Sequence, residues 1–255
     1  MLHRILLAAL VAGFVGGLAT AVLQHFTTTP LILEAELYEN GEAGAVHSSL
    51  APSGLNGATY GGARLILAHT GGDHADGDHE AWGPADGIER TLYTAVATVG
   101  TAFGFALILL SAMVLTNTRI TARSGLLWGL AGFAAAGLAP ALGLAPELPG
   151  SAAAELDLRQ MWWIATAVAT AGGLWLALRI STPLAIVGGI VLMLLPHVVG
   201  APHPGGFVSE VPAELAGHFA AASLVVMAVV WTLSGVVAGY VWQRGEARQA
   251  AAAAA

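Results

Sequence analysis

The chain contains no cysteine and no lysine among its 255 residues. The lack of cysteine excludes disulfides, thiolate metal ligands and thiol chemistry, and it leaves the redox compartment unassigned. The lack of lysine excludes a P-loop of the form GxxxxGK[ST], so this chain does not hydrolyse ATP through that motif. Charged residues make up only 10% of the chain, and the few arginines are a weak basis for binding nucleic-acid phosphates. We therefore expect no nucleic-acid partner.

Apolar residues are what the chain has in abundance. They account for 56% of it, and the mean hydropathy is +0.72. A soluble domain of this size cannot bury so much apolar surface, so the composition predicts an all-α integral membrane protein with lipid around it, a single polytopic domain over residues 1–255. Six apolar runs are candidate membrane-spanning helices, which need roughly 17 to 25 residues to cross a bilayer. They are Ile5–Leu23, Leu92–Leu115, Gly125–Leu144, Met161–Ala177, Leu184–Val199 and Leu215–Trp242.

The fifth run is the shortest, and a five-span alternative merges it with the fourth. The connecting sequence "LRISTPL" places Arg179 and Pro183 between the two apolar runs. Proline disfavours a continuous helix because it lacks an N–H group and restricts the residue before it. Six spans are therefore the prediction, with five as the alternative.

The arginines are distributed unevenly between the connecting segments. Cytoplasmic segments of membrane proteins carry an excess of arginine and lysine, so six alternating spans with a cytoplasmic amino terminus fit the pattern best. This topology predicts an extracytoplasmic loop at residues 26–91 and a short cytoplasmic tail at 243–255. The arginines then placed inside are Arg4, Arg119, Arg123, Arg179, Arg244 and Arg248, and those outside are Arg64, Arg90 and Arg159.

The first span has two possible interpretations. Arg4, the apolar run and the small residues of "LATA" are also typical of a cleaved signal peptide. The run is long for that purpose, however, and Gly13, Gly16 and Gly17 resemble the small-residue face with which membrane helices pack together. We expect the first span to remain part of the protein.

The segment "HTGGDHADGDHE" is the most polar stretch of the chain. Imidazole and carboxylate groups without sulfur favour cobalt(II), nickel(II) or zinc(II), and the interspersed glycines suit capture and release better than a rigid structural site. The alternative is a solvated acidic loop whose histidines have no ligand. The candidate ligands of this His-rich tract are His69, Asp73, His74, Asp76, Asp78 and His79, with Glu80 at its end.

Further candidate metal ligands lie near the outer ends of the predicted spans. The sequence "PHVVGAPHP" contains His197 and His203, and Glu214 and His218 lie one helical turn apart at the start of the last span. His25 follows the first span at the same predicted level. Ionisable side chains at membrane depth often mark an ion path, so we expect His25, His197 and His218 to converge. The alternative for each is an interfacial histidine hydrogen-bonded to water or to a backbone carbonyl.

Three acidic residues in "LEAELYENGE" are open to a similar pair of interpretations. Glu34, Glu36 and Glu39 would line a charged vestibule for a metal, or they would lie on a short interfacial helix with its acids facing water. The interfacial helix is the preferred interpretation.

Two other classes of function fit the same histidines. A membrane redox protein would use pairs among His25, His197 and His218 as haem ligands. A metal-sensing or assembly protein would bind metal at the His-rich tract without transporting it. Neither is excluded by the residue pattern.

Several long blocks, in order along the chain, resemble the CbtA family of predicted cobalt transporter subunits. They are "HRILLAALVAG", "TPLILEAELYE", the His-rich tract followed by "EAWGPADGIERTLYT", then "GLLWGLAGFAAAGLAPALGLAPELPG", "RQMWWIATAVAT", "LPHVVGAPHP" and "ELAGHFAAASL".

The resemblance implies a bacterial inner-membrane protein, not an enzyme, that takes part in cobalt uptake and cobalamin supply. It also implies a small membrane partner, CbtB, with its own histidine-rich segment. No tightly bound cofactor is expected; the metal is a cargo, cobalt first and nickel or zinc next. The histidines that match the family's pattern are His69, His74, His79, His197 and His218.

Overall fold

The computed structural model describes residues 1–39, 84–85, 87–206 and 209–254. Within these ranges the secondary structure is entirely helical, which confirms the predicted all-α class. The helices are α1 (Leu2–Phe26), α2 (Thr28–Glu39), α3 (Ile88–Leu115), α4 (Ala122–Ala141), α5 (Leu156–Ile180), α6 (Pro183–Val199) and α7 (Ala213–Ala254). Helices α4 and α5 each contain a π-helical turn, at Ala134–Leu138 and Leu176–Ile180.

Five of these helices are long and apolar enough to cross a membrane, namely α1, α3, α4, α5 and α7. Helix α6 is also apolar but has only 17 residues. At 1.5 Å per residue it is about 26 Å long, slightly less than a hydrocarbon core of about 30 Å. The fourth and fifth predicted spans are nevertheless separate helices, so merging them into one span is wrong.

The break between α5 and α6 has a local cause. Ser181 adopts the left-handed conformation with φ of 56°, and its N–H donates to the carbonyl of Leu176 at 3.1 Å. Thr182 then caps the next helix by accepting a hydrogen bond from the N–H of Ala185 at 3.2 Å. Pro183 occupies the first helical position, where its missing N–H costs nothing. These residues turn the chain back on itself.

Glycines on α1 bring three helices into backbone contact. A Cβ atom built on Gly17 would lie 2.5 Å from the Cα of Val99 on α3, and one on Gly13 would collide similarly with Phe103. Gly16 faces Ser234 of α7. The predicted packing face of Gly13, Gly16 and Gly17 is confirmed, because only glycine leaves room for such close helix contacts.

Helices α1, α3, α4 and α7 form an antiparallel bundle around the main core. Gly125 and Gly129 of α4 pack directly against Gly235 and Trp231 of α7. The Trp231 ring stacks on Phe105 of α3 with 3.9 Å between the ring centroids. The apolar core of the bundle therefore lies between α1, α3 and α7, with α4 packed against it.

Helices α5 and α6 form a hairpin at the side of this bundle. Gly173 and Gly189 meet at the crossing, and the indole N–H of Trp162 donates to the carbonyl of Pro196 at 3.2 Å. The hairpin rests mainly on the π-helical turn of α4. Pro140 follows that turn and cannot donate an N–H, which favours the local change of helical register.

The two ends of the bundle carry different arginines. At the terminal end, which holds residue 1 and the last turns of α7, Arg4 pairs with Glu246 at 3.4 Å and Arg179 donates to the carbonyl of Thr116 at 2.9 Å. At the opposite end, which we call the loop end, Arg90 pairs with Glu36 and Arg159 pairs with Glu147. This separation agrees with helices that alternate in direction. Arg64 lies outside the described residues.

Candidate functional site

The loop end has a small hydrophobic core of its own. Ala35 of α2 is buried together with Leu148, Val211 and Leu215. The N–H of Glu210 donates to the carbonyl of Gly150 at 3.4 Å and ties two connecting segments together. We call this arrangement of α2, residues 146–150, residues 209–212 and the first turns of α7 the loop-end cap. Helix α2 of this cap lies within residues 26–91, the predicted extracytoplasmic loop.

An ion pair attaches α2 to α3. Both carboxylate oxygens of Glu36 accept hydrogen bonds from the Arg90 guanidinium, one of them at 2.9 Å. Glu34 and Glu39 on the same helix are exposed. The predicted short helix is confirmed, but Glu36 is paired rather than simply facing water, because Arg90 at the start of α3 lies beside it.

Helix α7 presents the best-defined pair of candidate ligands. It begins at Ala213, immediately after Pro212, so Glu214 and His218 lie in its first turns as predicted. Both residues are exposed, and their four-residue spacing places them on one side of the helix. Glu210 precedes the helix and does not extend the pair. A metal ion at this position would have one carboxylate and one imidazole ligand from α7.

His197 lies in a more confined environment. It occupies the last turn of α6, is half-buried, and contacts Trp162 edge-to-face with 5.7 Å between the ring centroids. Helix α6 continues past Pro196 and ends where Gly200 adopts a φ of 91°. The predicted break in "PHVVGAPHP" therefore comes after His197, and the imidazole orientation is restricted by a tryptophan.

The remaining candidate histidines are more exposed. His25 ends α1 and contacts Phe26 with 5.1 Å between the ring centroids, and His203 lies on the irregular segment after α6. Both side chains are exposed. The His-rich tract lies outside the described residues, so its ligands His69, Asp73, His74, Asp76, Asp78 and His79 stay predictions.

The described ranges contain no group of three or more histidine, aspartate or glutamate side chains that could hold a metal ion. The expected convergence of His25, His197 and His218 into a shared site is therefore not seen in them. These residues lie near the ends of three different helices, and one of these helices, α6, belongs to the hairpin beside the bundle. The histidines are therefore separated across the bundle rather than along its length. Exposed single ligands and an i, i+4 pair bind divalent metals weakly, whereas stable sites use about four or more ligands.

Buried polar groups of the bundle and the hairpin, among the described residues, include hydroxyls, one amide and the Trp231 indole N–H. The Thr98 hydroxyl donates to the side-chain carbonyl of Gln24 at 2.7 Å, between α3 and α1. Thr166, Thr170 and Ser234 are buried, and their hydroxyls have no hydrogen-bond partner among the described residues. Such neutral groups can line a path but cannot by themselves hold a divalent ion.

The ion pair of Glu147 and Arg159 is a feature that sequence reasoning did not single out. Arg159 donates to Glu147 at 2.6 Å across the short connection between α4 and α5. A signal was present: two oppositely charged residues flank one short connection between apolar runs. Beside this pair, a groove of about 510 Å³ opens between α4, α5 and α7.

Comparison with known proteins gives one match. A family model described as "Probable cobalt transporter subunit (CbtA)" matches residues 2–243. No curated protein and no solved structure matches the chain. The family match covers all seven helices except the last turns of α7. The chain therefore belongs to the CbtA family of probable cobalt transporter subunits.

Proposed function

We propose that the chain is a membrane subunit for the uptake of a divalent transition metal, cobalt first, with the loop end as the receiving side. The observation that carries this proposal is the exposed pair of Glu214 and His218 at the start of α7, in a chain of a cobalt transporter family. His197 adds a half-buried imidazole at the same end. His25 and His203 are auxiliary contacts.

The ligand chemistry supports transient binding and release of a metal ion rather than tight retention. Imidazole and carboxylate bind cobalt(II), nickel(II) and zinc(II) with affinities set mainly by the metal. A pair of ligands leaves most coordination positions to water or to a second donor. Metal that reaches Glu214 and His218 is then free to exchange towards His197 or a partner subunit.

The His-rich tract is the capture element of this proposal. Glu80, at the end of the tract, is eight residues before the start of α3 at Ile88. Eight residues reach at most about 28 Å, so the end of the tract is tethered close to the loop-end cap. Three histidines and four carboxylates on this tether would raise the local concentration of divalent metal.

The arginine pattern supports an orientation in the membrane, and the membrane potential supplies a driving force for cation entry. The loop end carries fewer arginines and is the extracytoplasmic side, with both termini in the cytoplasm of a bacterial cell. The negative-inside potential favours cation entry by about 2.3 kcal/mol per charge per 100 mV, or about twice that for a dication. The word "subunit" in the family description supports a partner, and a small His-rich membrane protein of the CbtB type suits that role.

The proposal is tested by cobalt uptake into intact cells that produce single variants. His218→Ala is expected to lower the initial uptake rate by about tenfold, because the metal loses one of two ligands on α7. His3→Ala is the matched control, since His3 is an exposed histidine on α1 at the terminal end. Equal uptake by the two variants at equal membrane levels would contradict the role of His218.

Deletion of residues 69–80 tests the capture element separately. We expect a loss of cobalt uptake at scarce cobalt and recovery at abundant cobalt, because a capture loop changes local concentration and not the path. Unchanged uptake at every concentration would remove the tract from the mechanism. Metal binding to the tract with no uptake by the intact chain and its partner would favour a sensing protein.

A further inference from the structure

The groove between α4, α5 and α7 has apolar walls of small and large residues. Helix α5 packs on α4 and α6, while α7 packs on α1, α3 and α4, so α4 holds the two apart near the loop end. The resulting space measures about 510 Å³. Its apolar walls include Ala136, Gly137, Pro140, Trp163, Leu224 and Met227.

One end of the groove carries an ion pair. Glu147 and Arg159 both line it, and each side chain is 28% exposed. The Nε atom of Arg159 is buried and has no hydrogen-bond partner within the part of the chain that the structure describes. The exposed part of the guanidinium borders a groove whose walls are mostly apolar, with Gln160 and Ser223 as further polar lining residues.

The tryptophans next to the pair indicate its expected depth, near the lipid headgroups. Trp162 and Trp163 follow Arg159 by about one turn of α5. Tryptophan is enriched at the boundary between hydrocarbon and water, so Arg159 lies at or just beyond this boundary while the groove continues below it. An occupant with a charged head and an apolar tail would match the ion pair with its head and the apolar groove with its tail.

We propose that this groove binds one zwitterionic phospholipid with a primary ammonium headgroup. Its phosphate accepts a hydrogen bond from the exposed part of the Arg159 guanidinium, its ammonium group donates to the Glu147 carboxylate, and one acyl chain lies between α4, α5 and α7. The two protein charges are complementary to the two lipid charges, so no charge is left unpaired at the edge of the hydrocarbon.

The size and charge of the groove discriminate between occupants. One turn of a helix about 10 Å wide fills about 420 Å³, so a space of about 510 Å³ holds little more than one turn of a partner's transmembrane helix. The headgroup of an anionic lipid carries no cation beyond its phosphate. It would therefore place a neutral or a second negative group beside the Glu147 carboxylate, which attracts a cation. A quaternary ammonium head cannot donate a hydrogen bond to that carboxylate.

Fluorescence quenching in nanodiscs tests the proposal on the full chain. Phosphatidylethanolamine with brominated acyl chains is added in increasing fraction to a phosphatidylcholine bilayer, and the Trp163 signal is the difference between wild type and Trp163→Phe. Quenching is expected to saturate at a low fraction of the brominated lipid. With Arg159→Gln the half-saturation fraction is expected to rise by about tenfold, the loss of one charge-assisted hydrogen bond.

Two comparisons make the result decisive. Glu147→Gln retains the arginine and is expected to shift the preference towards brominated phosphatidylglycerol, and Arg244→Gln at the terminal end is expected to leave the titration unchanged. Quenching that rises without saturation and equally for the two brominated lipids would show bulk lipid contact and overturn the proposal. A wild-type preference for phosphatidylglycerol would also overturn it.

Discussion

At the scale of single residues, the ionisable side chains of the loop end fall into two groups. Glu36 and Glu147 are held by arginines, whereas Glu214 and His218 are exposed. The first two stabilise the cap, and the second two are the proposed metal ligands. Sequence spacing predicted the exposed pair, because one helical turn separates its members. It did not predict the ion pair of Glu36 and Arg90, whose members are far apart in the chain and meet only after folding.

Glu36→Gln is expected to lower the free energy of unfolding by about 1 kcal/mol, because the substitution removes the charge from a bidentate pair that holds α2 on α3. Chemical unfolding of the protein in detergent measures the change. Glu34→Gln, two residues away on the exposed side of α2, is the matched control and is expected to have little effect. Equal effects of the two substitutions would contradict a structural role for the Glu36 pair.

At the scale of helices, glycines decide which elements approach each other. The face of Gly13, Gly16 and Gly17 was predictable because three glycines fall close together in one apolar run. The contact between Gly173 and Gly189 was not, because a sequence does not state which glycines face each other. In the described structure Gly189 meets the backbone of α5, whereas Gly188 has no atom of another element within 4 Å.

Gly189→Ala is expected to destabilise the hairpin of α5 and α6. A Cβ atom at this position would lie 2.5 Å from the carbonyl oxygen of Gly173, and such overpacking costs about 1 to 3 kcal/mol. Gly188→Ala adds the same methyl group on the open side of α6 and is expected to be neutral. Thermal unfolding in detergent compares the two variants. If Gly188→Ala is the more damaging change, the hairpin packing is not as described.

Helix boundaries show what apolar runs can and cannot predict. The last span was predicted as Leu215–Trp242, but α7 runs from Ala213 to Ala254. Hydropathy marks the part of a helix that lies in hydrocarbon, while the alanines of the predicted tail favour helix wherever they lie. The tail at residues 243–254 therefore continues α7.

It was likewise easier to predict at which end of the molecule the candidate ligands lie than to predict which of them lie close together. Counting spans places His25, His197 and His218 at one end of the molecule, and all three lie there. Their lateral separation depends on how the helices are arranged around each other, and in particular on the hairpin standing beside the bundle. Span counting contains no information about that arrangement.

At the scale of the whole molecule, the two ends of the bundle differ in arginine content. This difference predicts which end faces the cytoplasm. The chain supplies no cysteine, so introduced cysteines report orientation directly. Ala85→Cys, exposed at the loop end, is expected to react with an impermeant thiol reagent in intact cells. Ala250→Cys, exposed on the last turns of α7, is expected to react only after the membrane is permeabilised. The reverse pattern would place the loop end in the cytoplasm.

Cobalt accumulation by intact cells tests the proposed uptake most directly. Cells producing the chain with the proposed CbtB-like partner are compared at low external cobalt with cells producing neither. They are also compared with cells whose chain carries His197→Ala, Glu214→Gln and His218→Ala together. We expect accumulation well above background for the wild-type chain and accumulation near background for the triple variant. Equal cobalt accumulation with and without the chain, at verified membrane levels, would contradict a role in metal uptake.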